Sequence, residues 1–347
     1  MSERSFDFNP AVRERVPLLI GLAGPSGSGK TFTALRLATG MAKVTPGPIL
    51  FIDTENRRGL HYAENFEFKH MDFGAPFASL DYLAAMQEAD RLKPSVIVVD
   101  SMSHEHEGPG GLVDYHATQL QEAVNRAKDR GDTRSDWALS ESYQMLAWRE
   151  PKAARRQLLQ GITRLNANVI LCFRAGETSK PTKNAKGKTE VVEQGFTPIA
   201  GKEFVYEMTC CALLRAGARG VPTWKSDKPG EHAAIKLPGQ FRDLFRDGEQ
   251  IGEAQGEALA KWAVGAQAPA PEGKRASQID MPGLMIAGDA AARKGTQALA
   301  TWWKSLDKTE QKLLAPKKDE PRTGWKATAE QQDGDMAPAG ADPEVPF

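Results

Sequence analysis

The octapeptide Gly24-Pro-Ser-Gly-Ser-Gly-Lys30-Thr31 constrains this chain more than any other feature. It satisfies G-x-x-x-x-G-K-[ST] and lies between the apolar run Val16 to Ala23 and a helical pattern from Lys30 to Met41, the context such a loop requires. The glycines permit backbone angles that turn successive N–H groups toward a phosphate, and the helix behind them points the positive end of its dipole at the same place. Gly24, Pro25, Ser26, Gly27, Ser28, Gly29, Lys30 and Thr31 are therefore the expected nucleotide-binding residues. Lys30 is expected to reach the β- and γ-phosphates of ATP, and the Thr31 hydroxyl to ligate Mg²⁺. The competing reading is a Gly-rich structural turn.

The sequence around this loop alternates short apolar runs with helical patterns. Pro48 to Asp53, Ser95 to Asp100 and Asn168 to Phe173 are continuous apolar runs, as parallel strands covered on both faces require. Helices are predicted over Pro76 to Leu92, Gly111 to Lys128 and Pro151 to Leu165. The alternation predicts an α/β domain with a mostly parallel sheet. From Thr189 onward, Glu190 to Phe196, Tyr206 to Arg215, Val221 to Ser226 and Ala233 to Leu237 are short β-like pieces between Gly and Pro turns, expected as antiparallel extensions. Glu249 to Val264 is expected to close the domain as a helix. The expected organisation is an arm over 1–15, a core over 16–264, a linker over 265–280, a small helical module over 281–329 and a disordered acidic tail over 330–347.

Two carboxylates stand where the chemistry needs them. Asp100 ends the strand Val96-Ile-Val-Val-Asp, and a carboxylate at the C-terminal end of a buried parallel strand faces the ligand crevice, where it can hold Mg²⁺. A strand-terminating turn cap is the alternative. The next residue is Ser101 rather than Glu, so the general base must come from elsewhere. Glu55, just beyond the second apolar strand in Phe51-Ile-Asp-Thr-Glu55, is the best candidate; a solvated loop acid is its alternative.

With the phosphate loop, Phe51-Ile-Asp-Thr-Glu55 and Val96-Ile-Val-Val-Asp-Ser101 in this order, the chain resembles RecA-like P-loop ATPases over roughly residues 16 to 245. It is most similar to the phage-encoded ones that work with single-strand annealing and binding proteins in recombination. The resemblance implies a RecA-like P-loop NTPase core, Mg²⁺-dependent ATP hydrolysis stimulated by DNA, and a homo-oligomeric ring or filament. The expected location is the cytoplasm, that of the host cell if the chain is phage-encoded. It places Arg174 where such proteins carry a polar sensor, usually Gln, so that an arginine there could stabilise transition-state charge or simply end a strand. It places a DNA-binding loop over Ala175 to Lys188, in which Lys180, Lys183, Lys186 and Lys188 could neutralise phosphates or ornament a solvated hairpin tip. Lys225 and Lys228 fall where such assemblies reach a neighbouring subunit's nucleotide, or are the surface lysines of a short hairpin.

The chain has 45 basic and 45 acidic residues, so no global attraction to nucleic acid or membrane follows from its total charge. The zero is nevertheless a sum over separated parts. Glu330 to Phe347 holds five acids and no Lys or Arg, leaving the rest with five excess bases, four of them net between Arg174 and Lys188. The tip Asp342-Pro-Glu-Val-Pro-Phe347 resembles the acidic end of bacterial single-stranded DNA-binding proteins. Pro346 and Phe347 could therefore dock on a host partner, or could close an ordinary disordered end.

Apolar stretches are strand-length, far short of the roughly 20 residues a membrane helix needs, and no membrane partner is expected. Cys172, Cys210 and Cys211 read as buried, reduced thiols. His104-Glu-His-Glu107 could place two histidines on one face of an extended strand for a metal, but is better read as a polar loop near the phosphates or DNA. Trp302 and Trp303 read as core of the helical module rather than a stacking platform. The rival readings are a hexameric DNA helicase motor, a P-loop small-molecule phosphotransferase and a non-enzymatic, nucleotide-gated binding module.

Overall fold

In the computed structural model, residue 10 and residues 13–183, 187–265, 281–306 and 308–335 are described. The chain divides into two compact units, the first ending at Gly265 and the second beginning at Ala266.

The first unit is built on strands β1 (Leu19–Gly24), β2 (Ile49–Asp53), β3 (Lys69–Asp72), β4 (Val96–Asp100), β5 (Asn168–Lys183), β6 (Thr189–Pro198) and β7 (Cys210–Leu213). They form one sheet in the order β3-β2-β4-β5-β1-β7, with β6 paired to β5. Every pair along that path is parallel; β6 alone runs antiparallel to its partner. Helices α1 (Lys30–Ala42), α2 (Ser79–Arg91), α3 (His104–Glu107), α4 (Leu112–Asp129), α5 (Asp136–Ala147), α6 (Arg149–Ile162), α7 (Lys202–Glu207), α8 (Pro229–Ala234) and α9 (Glu253–Ala263) complete it.

Alternation along the strands divides the core in two. Ile20, Leu22, Val96, Val98, Ile170 and Cys172 pack with α1 and α9 on one face of the sheet. Leu19, Ala23, Ile97, Val99, Leu171 and Phe173 pack with α2, α6 and α7 on the other. Both faces are dry, which is why these strands read as unbroken apolar runs. The same alternation sends the adjacent thiols of Cys210 and Cys211 into opposite cores; all three cysteines are buried and free.

Several expectations are corrected. The piece Tyr206 to Arg215 is an antiparallel extension only in expectation: Tyr206 belongs to α7, and β7 is parallel to β1. Val221 to Ser226 and Ala233 to Leu237 contribute single antiparallel bridges, Leu213 to Thr223 and Cys211 to Lys236. Pro229 at the start of α8 turns Pro229 to Ala234 into a helix, because its fixed φ suits a first helical turn. His104 to Glu107 is one helical turn rather than an extended segment. The edge strand β3 and helix α5 were not foreseen. β3 is a mostly exposed Lys-His-Met-Asp, and α5 leaves Trp137 and Met145 exposed, so neither carries a clear apolar period.

In the second unit, α10 (Met281–Ala292), α11 (Thr296–Ser305), α12 (Lys308–Lys318) and α13 (Trp325–Asp335) surround Ala292, Leu299, Leu314, Trp325 and Ala329. Trp302 meets Trp325 edge to face at 5.2 Å, and Trp302 and Trp303 pack against this core. Helix α13 continues through Asp335, six residues into the segment expected to be a disordered tail. Residues 1–9, most of the linker, Asp307, and Pro346 and Phe347 lie outside the described residues. Among the described residues no helix is long and apolar enough to cross a membrane.

Candidate active site

The carboxyl ends of β1, β4, β2 and β5 deliver the phosphate loop, Asp100, Glu55 and Arg174 to one cleft, the expected ligand position in an open parallel sheet. Ser26, Gly27, Gly29, Lys30, Thr31, Glu55, Asp100 and Arg174 all line a single cavity of about 410 Å³.

The loop fits its expected role. Gly29, at φ 94°, sits in the left-handed region, and a Cβ there would lie 3.2 Å from the Gly220 nitrogen. At Gly24 a Cβ would meet the Leu214 carbonyl oxygen at 2.2 Å, so the loop following β7 closes directly against the phosphate loop. Lys30 is buried and donates to the carbonyl oxygens of Gly24 and Pro25 at 2.9 Å each. The Thr31 hydroxyl donates to Asp100 Oδ2 at 2.5 Å. Hydroxyl and carboxylate oxygen side by side are the hard donors that Mg²⁺ prefers, and the buried Ser28 hydroxyl in the same loop has no partner. These residues fit a magnesium nucleotide.

Burial pushes the Asp100 carboxyl from 3.8 up to about 6, against the downward pull of the Thr31 hydroxyl and the Lys30 ammonium. A carboxyl whose folded pKa exceeds its unfolded one favours folding fully below the unfolded value, and that contribution is lost as pH rises through the folded value. The shift corresponds to roughly 3 kcal/mol opposing the ligand-free fold above pH 6. Asp100→Asn should therefore raise the Tm of nucleotide-free protein at pH 8, and the gain should vanish on acidification to pH 4. A Tm difference that is constant across that range contradicts this account.

Glu55 is held by a bidentate pair, Arg174 Nε to Oε1 at 2.8 Å and Nη2 to Oε2 at 2.6 Å. Burial acts upward on its carboxyl, yet the hydrogen bonds and charge of Arg174, aided by His104 and Arg58, bring it below the usual carboxylate range. The loop that aims Glu55 is shaped by Asp53, fully buried, which accepts from the Glu55 and Gly59 N–H groups at 2.8 Å and contacts His70 Nε2 at 3.0 Å. Asp53 was not singled out in the sequence, although an Asx turn two residues before a functional acid was its available signal. Tyr62, which lines the same cavity, was also missed; it ends the helical turn Arg58–Tyr62 that follows Glu55.

The basic loop is a β-ribbon. β5 continues past Arg174 as an arm paired with β6 from Ala175–Pro198 to Lys183–Thr189. Lys180, Lys183 and Lys188 are exposed on it, and Lys186 lies outside the described residues. Lys180 and Lys183, three positions apart on one strand, face opposite sides of the ribbon. Lys228 pairs with Glu193, midway along the ribbon, at 3.3 Å, while Lys225 borders a separate cavity with Trp224 and Phe245. Neither lines the phosphate cleft of its own chain. His104 and His106 diverge: His104 Nδ1 contacts the Thr54 hydroxyl at 2.7 Å, and His106 Nδ1 meets Arg155 Nη2 at 2.9 Å. Among the described residues no group of three or more His, Cys, Asp or Glu could hold a metal ion.

The AAA-domain family profile matches residues 17–214, which include every residue of this cleft. Among solved structures, a KaiC-like protein of the archaeon Pyrococcus horikoshii is similar at 14% identity over 53% of this chain and 88% of that one, with a TM-score of 0.26. No curated protein matches the sequence.

Proposed function

We propose, since the chain belongs to the AAA-domain family and brings the phosphate loop, Asp100, Glu55 and Arg174 to one cleft, that it hydrolyses ATP with Mg²⁺ and applies the cycle to single-stranded DNA. The observation that supports this most is the continuity of β5: one strand holds Arg174 against Glu55 at the nucleotide cleft and then projects as the lysine-bearing ribbon. A DNA strand on the ribbon and a phosphate at the cleft would thus act on the same piece of backbone.

In this mechanism the N–H groups of Gly27 to Thr31 and the Lys30 ammonium hold the phosphates. Thr31 and Asp100 would hold Mg²⁺, which when bound would supply positive charge beside the phosphate oxygens. Tyr62, which lines the same cavity, would be the aromatic residue available to pack against the base. Glu55 orients the attacking water and accepts its proton. While Arg174 occupies both Glu55 oxygens, the carboxylate is a weak base, so transfer of Arg174 to the γ-phosphate both offsets developing charge and restores the basicity of Glu55. Lys225 and Lys228 are proposed to act only in a homo-oligomer, on the nucleotide of a neighbouring copy. The phage recombination setting and a tail partner for Pro346 and Phe347 belong to the same proposal.

Replacing Lys180, Lys183, Lys186 and Lys188 by alanine tests the DNA part. Affinity for an oligo(dT) should fall by about 10²-fold at 0.1 M salt, and the slope of log K against log salt should flatten by about 3. Hydrolysis without DNA should be retained. Equal oligo(dT) affinity and an unchanged slope would sink the reading while leaving the ATPase intact.

A further inference from the structure

We infer that His104 is a positioning residue for hydrolysis, fixing through the Thr54 hydroxyl the strand end that carries Glu55. This rests on the proposed role of Glu55 as the group that orients water.

Thr54 lies between Asp53 and Glu55 and is buried. Its backbone N–H donates to the Asp100 carbonyl at 2.8 Å, and its hydroxyl stands at a three-way junction. The Ser101 N–H donates to Thr54 Oγ1 at 2.7 Å, the Ser101 carbonyl lies 3.0 Å from it, and His104 Nδ1 lies 2.7 Å from it. A hydroxyl has one proton and two acceptor positions. One arrangement satisfies all three neighbours: Thr54 accepts from the Ser101 N–H and from a protonated His104 Nδ1, and donates to the Ser101 carbonyl. Donation to an unprotonated Nδ1 instead leaves that carbonyl with the Tyr82 hydroxyl, at 3.0 Å, as its remaining partner.

The imidazole is held for this task. It stacks on Phe77 with centroids 4.8 Å apart and planes 19° from parallel. Burial, followed by the charge of Arg174, lowers its pKa, so that near neutral pH it is uncharged and carries a single ring proton. Spending that proton on Thr54 locks the junction. The ends of β2 and β4, which present Glu55 and Asp100, are thereby pinned to each other by Thr54, with His104 as the strut behind the pin. The phosphate loop makes none of these bonds, so losing the strut should degrade chemistry rather than nucleotide binding.

The variants His104→Ala, His104→Asn and Thr54→Val, measured for kcat, KM, affinity for a non-hydrolysable ATP analogue and Tm, test this. His104→Ala should lower kcat about tenfold with analogue affinity within about twofold. Asn, whose amide N–H can reach Thr54, should restore most of that loss. Thr54→Val should reproduce it, and the double variant Thr54→Val with His104→Ala should be no worse than either alone, because both break one junction. Wild-type kcat in His104→Ala, or an Asn variant no better than Ala, overturns the inference. So does a parallel loss of analogue affinity and Tm. Glu55→Gln separates the two readings: if it hydrolyses ATP normally, the role of Glu55 fails and this one with it. If Glu55→Gln is inactive while His104→Ala is fully active, only the role of His104 fails.

Discussion

Glu55→Gln is expected to lower kcat for ATP hydrolysis by about 10³-fold while leaving the affinity for a non-hydrolysable ATP analogue within about threefold. The replacement keeps the side-chain shape but removes the negative charge and basicity that let the carboxylate take a proton from water. The groups expected to bind the phosphates, Lys30 and the Gly24 to Thr31 backbone, are untouched, since Glu55 contacts Arg174 and Arg58 and not the loop. Isothermal titration with the analogue and steady-state hydrolysis separate the two quantities. A kcat within about threefold of wild type would show that another group orients water, and the cleft would then need a different base.

The second large effect falls on stability. Glu105 and Arg155, both buried, pair at 2.6 and 3.2 Å; Ser79 donates to the same carboxylate at 2.5 Å, and Arg155 also reaches His106. This pair ties the helical turn after Asp100 to α6 and, through Ser79, to α2. Arg155→Ala strands the fully buried Glu105 carboxylate and should cost about 3 to 5 kcal/mol. For a unit of this size that lowers the first thermal transition by roughly 10 °C. The double replacement Glu105→Leu with Arg155→Met should recover most of the loss, because a matched apolar pair needs no desolvation of charge. A single variant that melts like wild type would show that the pair contributes little.

Much of the cleft was legible in the residues themselves. The phosphate loop, Asp100 and Glu55 each follow an apolar strand, and parallel strands put their carboxyl ends on one side, so three separated motifs converge whatever the loops do. Arg174 was placed by resemblance, but its grip on Glu55 was not, because a pair 119 positions apart depends on β4 lying between β2 and β5. The antiparallel expectation for β7 failed because four apolar residues fit either direction; contact with β1 decides it. The lysine segment read as a loop because its composition is polar, yet pairing with β6 carries β5 onward where propensity alone would stop it.

The sequence alone therefore determined the α/β class, the nucleotide loop and the identities of the acids that face it, because these depend on local pattern and on a handedness common to parallel sheets. Tertiary structure alone decided that Arg174 restrains Glu55, that Thr54 joins β2 to β4, and that His104 and His106 serve different networks. Those bonds join residues about 50 or more positions apart, at 2.6 to 2.9 Å. Hydrogen bonds tolerate errors of only tenths of an ångström, and that precision exists only once the sheet order is set.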